Sequence, residues 1–219
     1  MKLIAQAISV IFHPLLMLTY MLVLLLLVNP YLFGVPSIGA HKQLILMMFI
    51  STFAIPMLAV VMMKTLGLIE SLEMRDKMER VGPYIAVGVF YMWMAFYCYK
   101  SPIIPTAYAV PVIGTTIALF TAFIINIFQK ISIHATGMGG LVGMVLITMW
   151  LFSYDSFAFE AFSLGTFQIS MSLILMITIV LAGLVGTARM ILGAHTPPEL
   201  YGGYMVGFLT QFIALRFLF

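Results

Sequence analysis

A chain of 219 residues that is 63% hydrophobic and only 8% charged carries more apolar side chain than a soluble domain of that length can bury. With a mean hydropathy of +1.17 it reads as an integral membrane protein. A net charge of +3, from 10 basic and 7 acidic residues, excludes the dense basic surface of a nucleic-acid binder, and the single cysteine, Cys98, excludes a disulfide framework or a cysteine metal site.

In lipid only helices and closed barrels satisfy their own backbone hydrogen bonds, and the apolar runs here are continuous rather than alternating. The expected fold is an all-α integral membrane bundle of about six to seven transmembrane helices in one domain, 1–219. Lys2 and the apolar run 3–28 imitate a secretory signal, but the run exceeds an h-region of about 7 to 15 residues and lacks a small-x-small site, so it reads as an uncleaved first span over 9–28. That span carries His13-Pro14, expected to mark a kink or an interfacial contact. After a loop with Gly34, Pro36, His41 and Lys42, a second span is predicted over 44–63. The one strongly charged stretch, 64–83, holds Glu70, Glu73, Arg75, Asp76, Lys77, Glu79 and Arg80. Spans follow at 83–99 and 107–128, then a polar, glycine-rich connection at 129–140. The remaining spans are predicted at 140–152, at 168–185 after a loop with Asp155 and Glu160, and at 197–215.

Parity is the useful feature of this layout. Two crossings separate Lys77 and Arg80 from His134, and two more separate His134 from His195, so all three polar stretches emerge on one face. That face holds Lys2, Lys64, Arg75, Lys77, Arg80, Lys130 and Arg189, against Lys42, Lys100 and Arg216 opposite. Once the residues suspected of function are set aside, the positive-inside rule does not decide the orientation. No internal repeat supports an inverted-repeat transporter.

The segment 187–203, T-A-R-M-I-L-G-A-H-T-P-P-E-L-Y-G-G, concentrates Arg189, His195 and Glu199 between two apolar runs. An ionisable side chain at membrane depth costs roughly 2.5 to 3.5 kcal/mol on insertion scales, so such a cluster calls for a chemical reason. Metal-free phosphoryl transfer needs fixed cations around three oxygens, a nucleophile in line, and an acid for the leaving oxygen. Arg80 and Arg189 supply planar forks and Lys77 a point charge; of His195 and His134 one can attack and the other protonate; Glu199, four residues after His195, is placed to orient its ring.

These residues resemble the type-2 phosphatidate phosphatases, whose fold is shared with vanadium haloperoxidases and glucose-6-phosphatase. The family carries K-x6-R-P, P-S-G-H and S-R-x5-H-x3-D. The third motif is similar to Ala188-Arg189-x5-His195-x3-Glu199, the second to Ile131-Ser132-Ile133-His134, and the first, loosely, to Lys77, Arg80 and Pro83. The resemblance spans about 77–207 and implies His195 as the nucleophile that forms a phosphohistidine, Glu199 as its orienter and His134 as general acid. It implies Arg189, Arg80, Ser132 and Lys77 as phosphate ligands. The chain departs from the pattern at Ala188, Ile131, Ile133 and Glu199, and Glu73 occupies the place of the family's lysine.

Other roles compete for the same residues. Thr196-Pro197-Pro198-Glu199 also reads as a capping box, and 75–80 as a solvated turn laced by pairs such as Asp76 with Arg80. Gly139 with Gly143, and Gly203 with Gly207, have the spacing of close helix packing. The spacings imply neither a metal nor another cofactor. The expected activity is a lipid phosphatase of a bacterial inner membrane, acting on phosphatidate, phosphatidylglycerophosphate, a polyprenyl diphosphate or a lipid A headgroup. The alternatives are a degenerate relative that binds phospholipid and a small lipid transporter.

Overall fold

The computed structural model describes residues 1–35, 38–74, 76–160 and 166–219; Pro36 of the first loop and Arg75 of the charged stretch lie outside them. The helices are α1 (Lys2–Ile11), α2 (Met17–Val28), α3 (Lys42–Phe49), α4 (Ile55–Thr65), α5 (Val81–Lys100), α6 (Thr106–Phe128), α7 (Ile133–Leu151), α8 (Met171–Ile191) and α9 (Pro197–Leu218). Among the described residues, six stretches are long and apolar enough to cross a bilayer: Lys2–Val28, Lys42–Thr65, Met78–Lys100, Thr106–Phe128, Ile133–Leu151 and Met171–Ile191. With the 22-residue α9 they form an all-α, multi-pass membrane bundle.

Proline sets the interruptions, and neighbouring groups satisfy the carbonyls it frees. Pro14 ends α1, and His13 opens the next turn by accepting from Leu15 N at Nδ1, 3.3 Å. Pro56 cannot donate to Thr52 O, the α3–α4 span widens into a π turn over Ile50–Ala54, and Tyr91 Oη donates to that carbonyl instead at 3.3 Å. The broken first span packs in two directions, α1 on α8 and α2 on α6 and α7.

The closest helix pair is α7 with α9. A Cβ at Gly139 would collide with the backbone of Tyr204, and one at Gly207 with Thr136 O and Gly140 N, so the two backbones touch because these positions lack side chains. This corrects the loop expected over 129–140: α7 already begins at Ile133, with Ser132 as its N-cap. Glycine signals a loop in water, whereas in a bilayer it lets helices approach. A second correction falls after α7. The expected loop is an antiparallel hairpin, β1 (Ser156–Glu160) with β2 (Thr166–Ser170), and α8 starts only at Met171, where Ser170 Oγ caps Leu173 N.

The hairpin and Asn29 share one end of the bundle, where Asn29 Nδ2 donates to Phe152 O. At the other end the α4–α5, α6–α7 and α8–α9 connections are tied together. Asn126 Nδ2 donates to Lys77 O at 2.8 Å, Lys130 Nζ to Ala194 O at 2.9 Å, and Ser132 N to Glu199 O at 3.2 Å.

Candidate functional site

The three polar stretches converge at this end. His195, in the α8–α9 turn, donates from Nδ1 to Glu199 Oε2 at 2.6 Å. A carboxylate can only accept here, so the proton sits on Nδ1 and the Nε2 lone pair is left for chemistry. The arrangement follows from the helix start: Pro197 and Pro198 begin α9 without needing N–H partners, and one turn later Glu199 lies beneath the imidazole. The capping box is not formed, since Thr196 makes no side-chain cap and Glu199 turns to His195. Burial lowers the His195 pKa to about 4, and the charges of Arg80 and Lys130 add to that effect. Glu199 opposes them by supporting the imidazolium, but burial prevails, and His195 is neutral near pH 7.

Arg80 is buried at the start of α5 and draws the connections together. Its Nε donates to Met74 O at 2.9 Å and its Nη1 to Ile131 O at 2.9 Å. Met74 has a φ of 44°, in the left-handed region that non-glycine residues rarely adopt, so this turn is held against its local preference. Asp76 is not the partner of Arg80; its Oδ1 accepts from Met78 N. Lys77 anchors to the C-terminal carbonyls of α6, Nζ to Ile127 O at 3.0 Å and to Phe128 O at 3.3 Å. Ser132 is fully buried, and its Oγ accepts from Ala135 N at 3.3 Å.

His134 and Arg189 meet residues that the spacing did not single out. His134 Nε2 donates to Ser9 O at 3.1 Å, and Arg189 Nη1 donates to Ser9 Oγ at 3.4 Å, so α1 lies directly against both. The rings of His13 and His134 meet edge to face, 5.6 Å between centroids. Arg189 Nε is buried without a hydrogen-bond partner.

Below these groups a cavity of about 420 Å³ runs between α1, α4, α5, α6, α7 and α9. Arg80, Arg189, His134, His13 and Glu73 line its polar mouth, and apolar side chains such as Met57, Val87 and Leu119 line most of its depth. His195, Glu199, Ser132 and Lys77 lie outside the lining. The structure thus brings His134, Arg80 and Arg189 to one cavity with His195 and Glu199 nearby, and leaves Lys77 on the end of α6.

His13, Ser9, Glu73 and Gln211 line the cavity without having been assigned to it from the sequence. Two of them carried a signal: His13 as an ionisable residue beside a proline in a span, and Glu73 as the carboxylate in the place of the lysine of the first motif. Comparison of the chain with protein-family models, with curated proteins and with solved structures finds no match in any of the three.

Proposed function

We propose that the chain is a metal-independent phosphatase acting on an anionic lipid, in a bacterial inner membrane. The observation that carries this reading is the His195–Glu199 pair, which presents a neutral imidazole with its Nε2 lone pair available at the end of the bundle where Arg80 and Arg189 gather. In the proposed reaction Nε2 attacks phosphorus, the bond to the lipid alcohol oxygen breaks, and Glu199 stabilises the imidazolium that results. His134 protonates the departing oxygen; water then attacks the phosphohistidine while giving a proton back to His134, and cleavage of the P–N bond releases orthophosphate and restores both histidines. Arg189, whose Nε lacks a partner, and Arg80 hold the phosphoryl oxygens, with Ser132 assisting from the α7 N-terminus, while Lys77, tied to the carbonyls that end α6, fixes the connection that carries Arg80. An apolar cavity beneath a cationic mouth suits an amphiphile, and supports a lipid over a soluble phosphate ester.

A second reading, a relative that binds phospholipid without turning it over, is favoured by particular contacts. Arg80 already serves two carbonyls, His134 Nε2 is engaged by Ser9 O, and Glu73 lines the mouth beside Arg189. Phosphate release in detergent from phosphatidate, phosphatidylglycerophosphate and polyprenyl diphosphates, wild type against His195→Asn, separates the two. Release that vanishes in the variant supports the phosphatase; binding without release from any substrate supports the second reading.

A further inference from the structure

Beyond its charged groups the cavity is lined by polar side chains that the proposed chemistry does not use. Gln211, on α9, is fully buried and lines the cavity, and neither its Oε1 nor its Nε2 has a hydrogen-bond partner. Thr115 Oγ1 on α6 and Tyr84 Oη on α5 are likewise buried, unpartnered and in the lining. Buried polar side chains are normally hydrogen-bonded, so three without a protein partner in the wall of one cavity point to a ligand.

The space around Gln211 is shaped for its amide. A Cβ at Gly114 would collide with Oε1, and Gly140 and Gly143 also lie against the side chain, so three glycines clear the position. Depth orders the groups. Tyr84 lies one turn beyond Arg80, ~6 Å along α5, and the Gly140 level of Gln211 is six residues beyond His134, ~9 Å along α7. A ligand that fits has an anionic head, then hydrogen-bond acceptors a short way down, then hydrocarbon. The carbonyls of an acylated lipid phosphate have that order, whereas an isoprenoid chain offers no acceptor.

We infer that Tyr84, Thr115 and Gln211 form a hydrogen-bonding subsite that takes the acyl carbonyls of an anionic lipid whose headgroup lies at Arg80, Arg189 and His134. The inference rests on the lipid reading above but not on turnover. It makes Gln211 a specificity residue that selects ester- or amide-linked chains over ether-linked and isoprenoid ones.

The test is equilibrium binding to the full-length protein in detergent, with His195→Asn as the background so that no probe is consumed. The probes are dioleoyl phosphatidate, its dialkyl-ether counterpart, ceramide 1-phosphate and a polyprenyl phosphate. The expected result is about tenfold tighter binding of the acyl probes than of the ether probe, a preference that Gln211→Leu removes and Thr115→Val reduces. Thr115→Val is nearly isosteric and guards against misfolding of the Gln211 variant. Selectivity for phosphatidate alone or for ceramide 1-phosphate alone assigns the ester or the amide as the carbonyl source. Equal binding of acyl and ether probes, or a preference unchanged in both variants, overturns the subsite and leaves those groups to trapped water. An acyl preference lost in the variants while the wild type releases no phosphate upholds the subsite and removes the phosphatase reading.

Discussion

His195 and Glu199 stand one helical turn apart at the start of α9, and their 2.6 Å contact fixes which imidazole nitrogen carries the proton. Four residues of spacing do the positioning, with two prolines making the turn rigid. If Glu199 orients the nucleophile, Glu199→Gln keeps helix and volume but presents an amide that can rotate its donor toward Nδ1 and favour the wrong tautomer. Turnover is expected to fall by about 10²- to 10⁴-fold with KM little changed, as loss of a triad carboxylate does. Near-normal kcat in this variant would reduce Glu199 to a structural residue.

The same pair sets a pH dependence. Burial, Arg80 and Lys130 hold the His195 pKa at about 4, below its ordinary value, so this imidazole stays neutral well into the acid range. The acidic limb of kcat/KM due to His195 is expected near pH 4 rather than near 6.5, measured on a substrate whose own phosphate ionisation is known. Because the native state resists a proton that the unfolded chain accepts, the unfolded state binds more protons between those two values. Stability is therefore lost as pH falls from about 6.5 toward 4. An acidic limb at the ordinary histidine value would show that His195 is solvated under the conditions of the assay.

How far the sequence reaches differs from one feature to another. Counting crossings between Arg80, His134 and His195 was enough to put them at one end, because each apolar run had a single way to satisfy its backbone in lipid. Helix starts were less legible. Gly137, Gly139 and Gly140 carry the composition of a loop, and only the close approach of α9 explains why they are helical. The contact of His13 and Ser9 with His134 and Arg189 joins residues more than a hundred positions apart and leaves no mark in local spacing. Gln211, a lone amide in an apolar run, becomes informative only once its neighbours are known to leave it unpartnered.

Close packing of α7 on α9 holds the turn that carries His195. Gly207→Ala would set a methyl group against Thr136 O and Gly140 N, and the helices would have to part. The expected cost is about 1–3 kcal/mol, read as a lower midpoint of thermal unfolding in detergent. Gly202→Ala, on the same helix with nothing within 4 Å of the added carbon, is the control and should leave the midpoint unchanged or slightly raised. Equal midpoints for the two variants would contradict the close contact.

Arg80 combines structure with charge, and two substitutions distinguish these roles. Arg80→Met keeps the volume but leaves Met74 O and Ile131 O without their donor, a loss of about 2–5 kcal/mol at a buried site. Arg80→Lys keeps the charge yet cannot span both carbonyls with a planar fork, so it should recover phosphate affinity more fully than stability. Vanadate inhibition reads affinity, and thermal unfolding reads the fold. If Arg80 ligates phosphate, vanadate should inhibit the lysine variant far more strongly than the methionine one. If it only ties Met74 to Ile131, the two variants should lose vanadate affinity in proportion to their loss of stability.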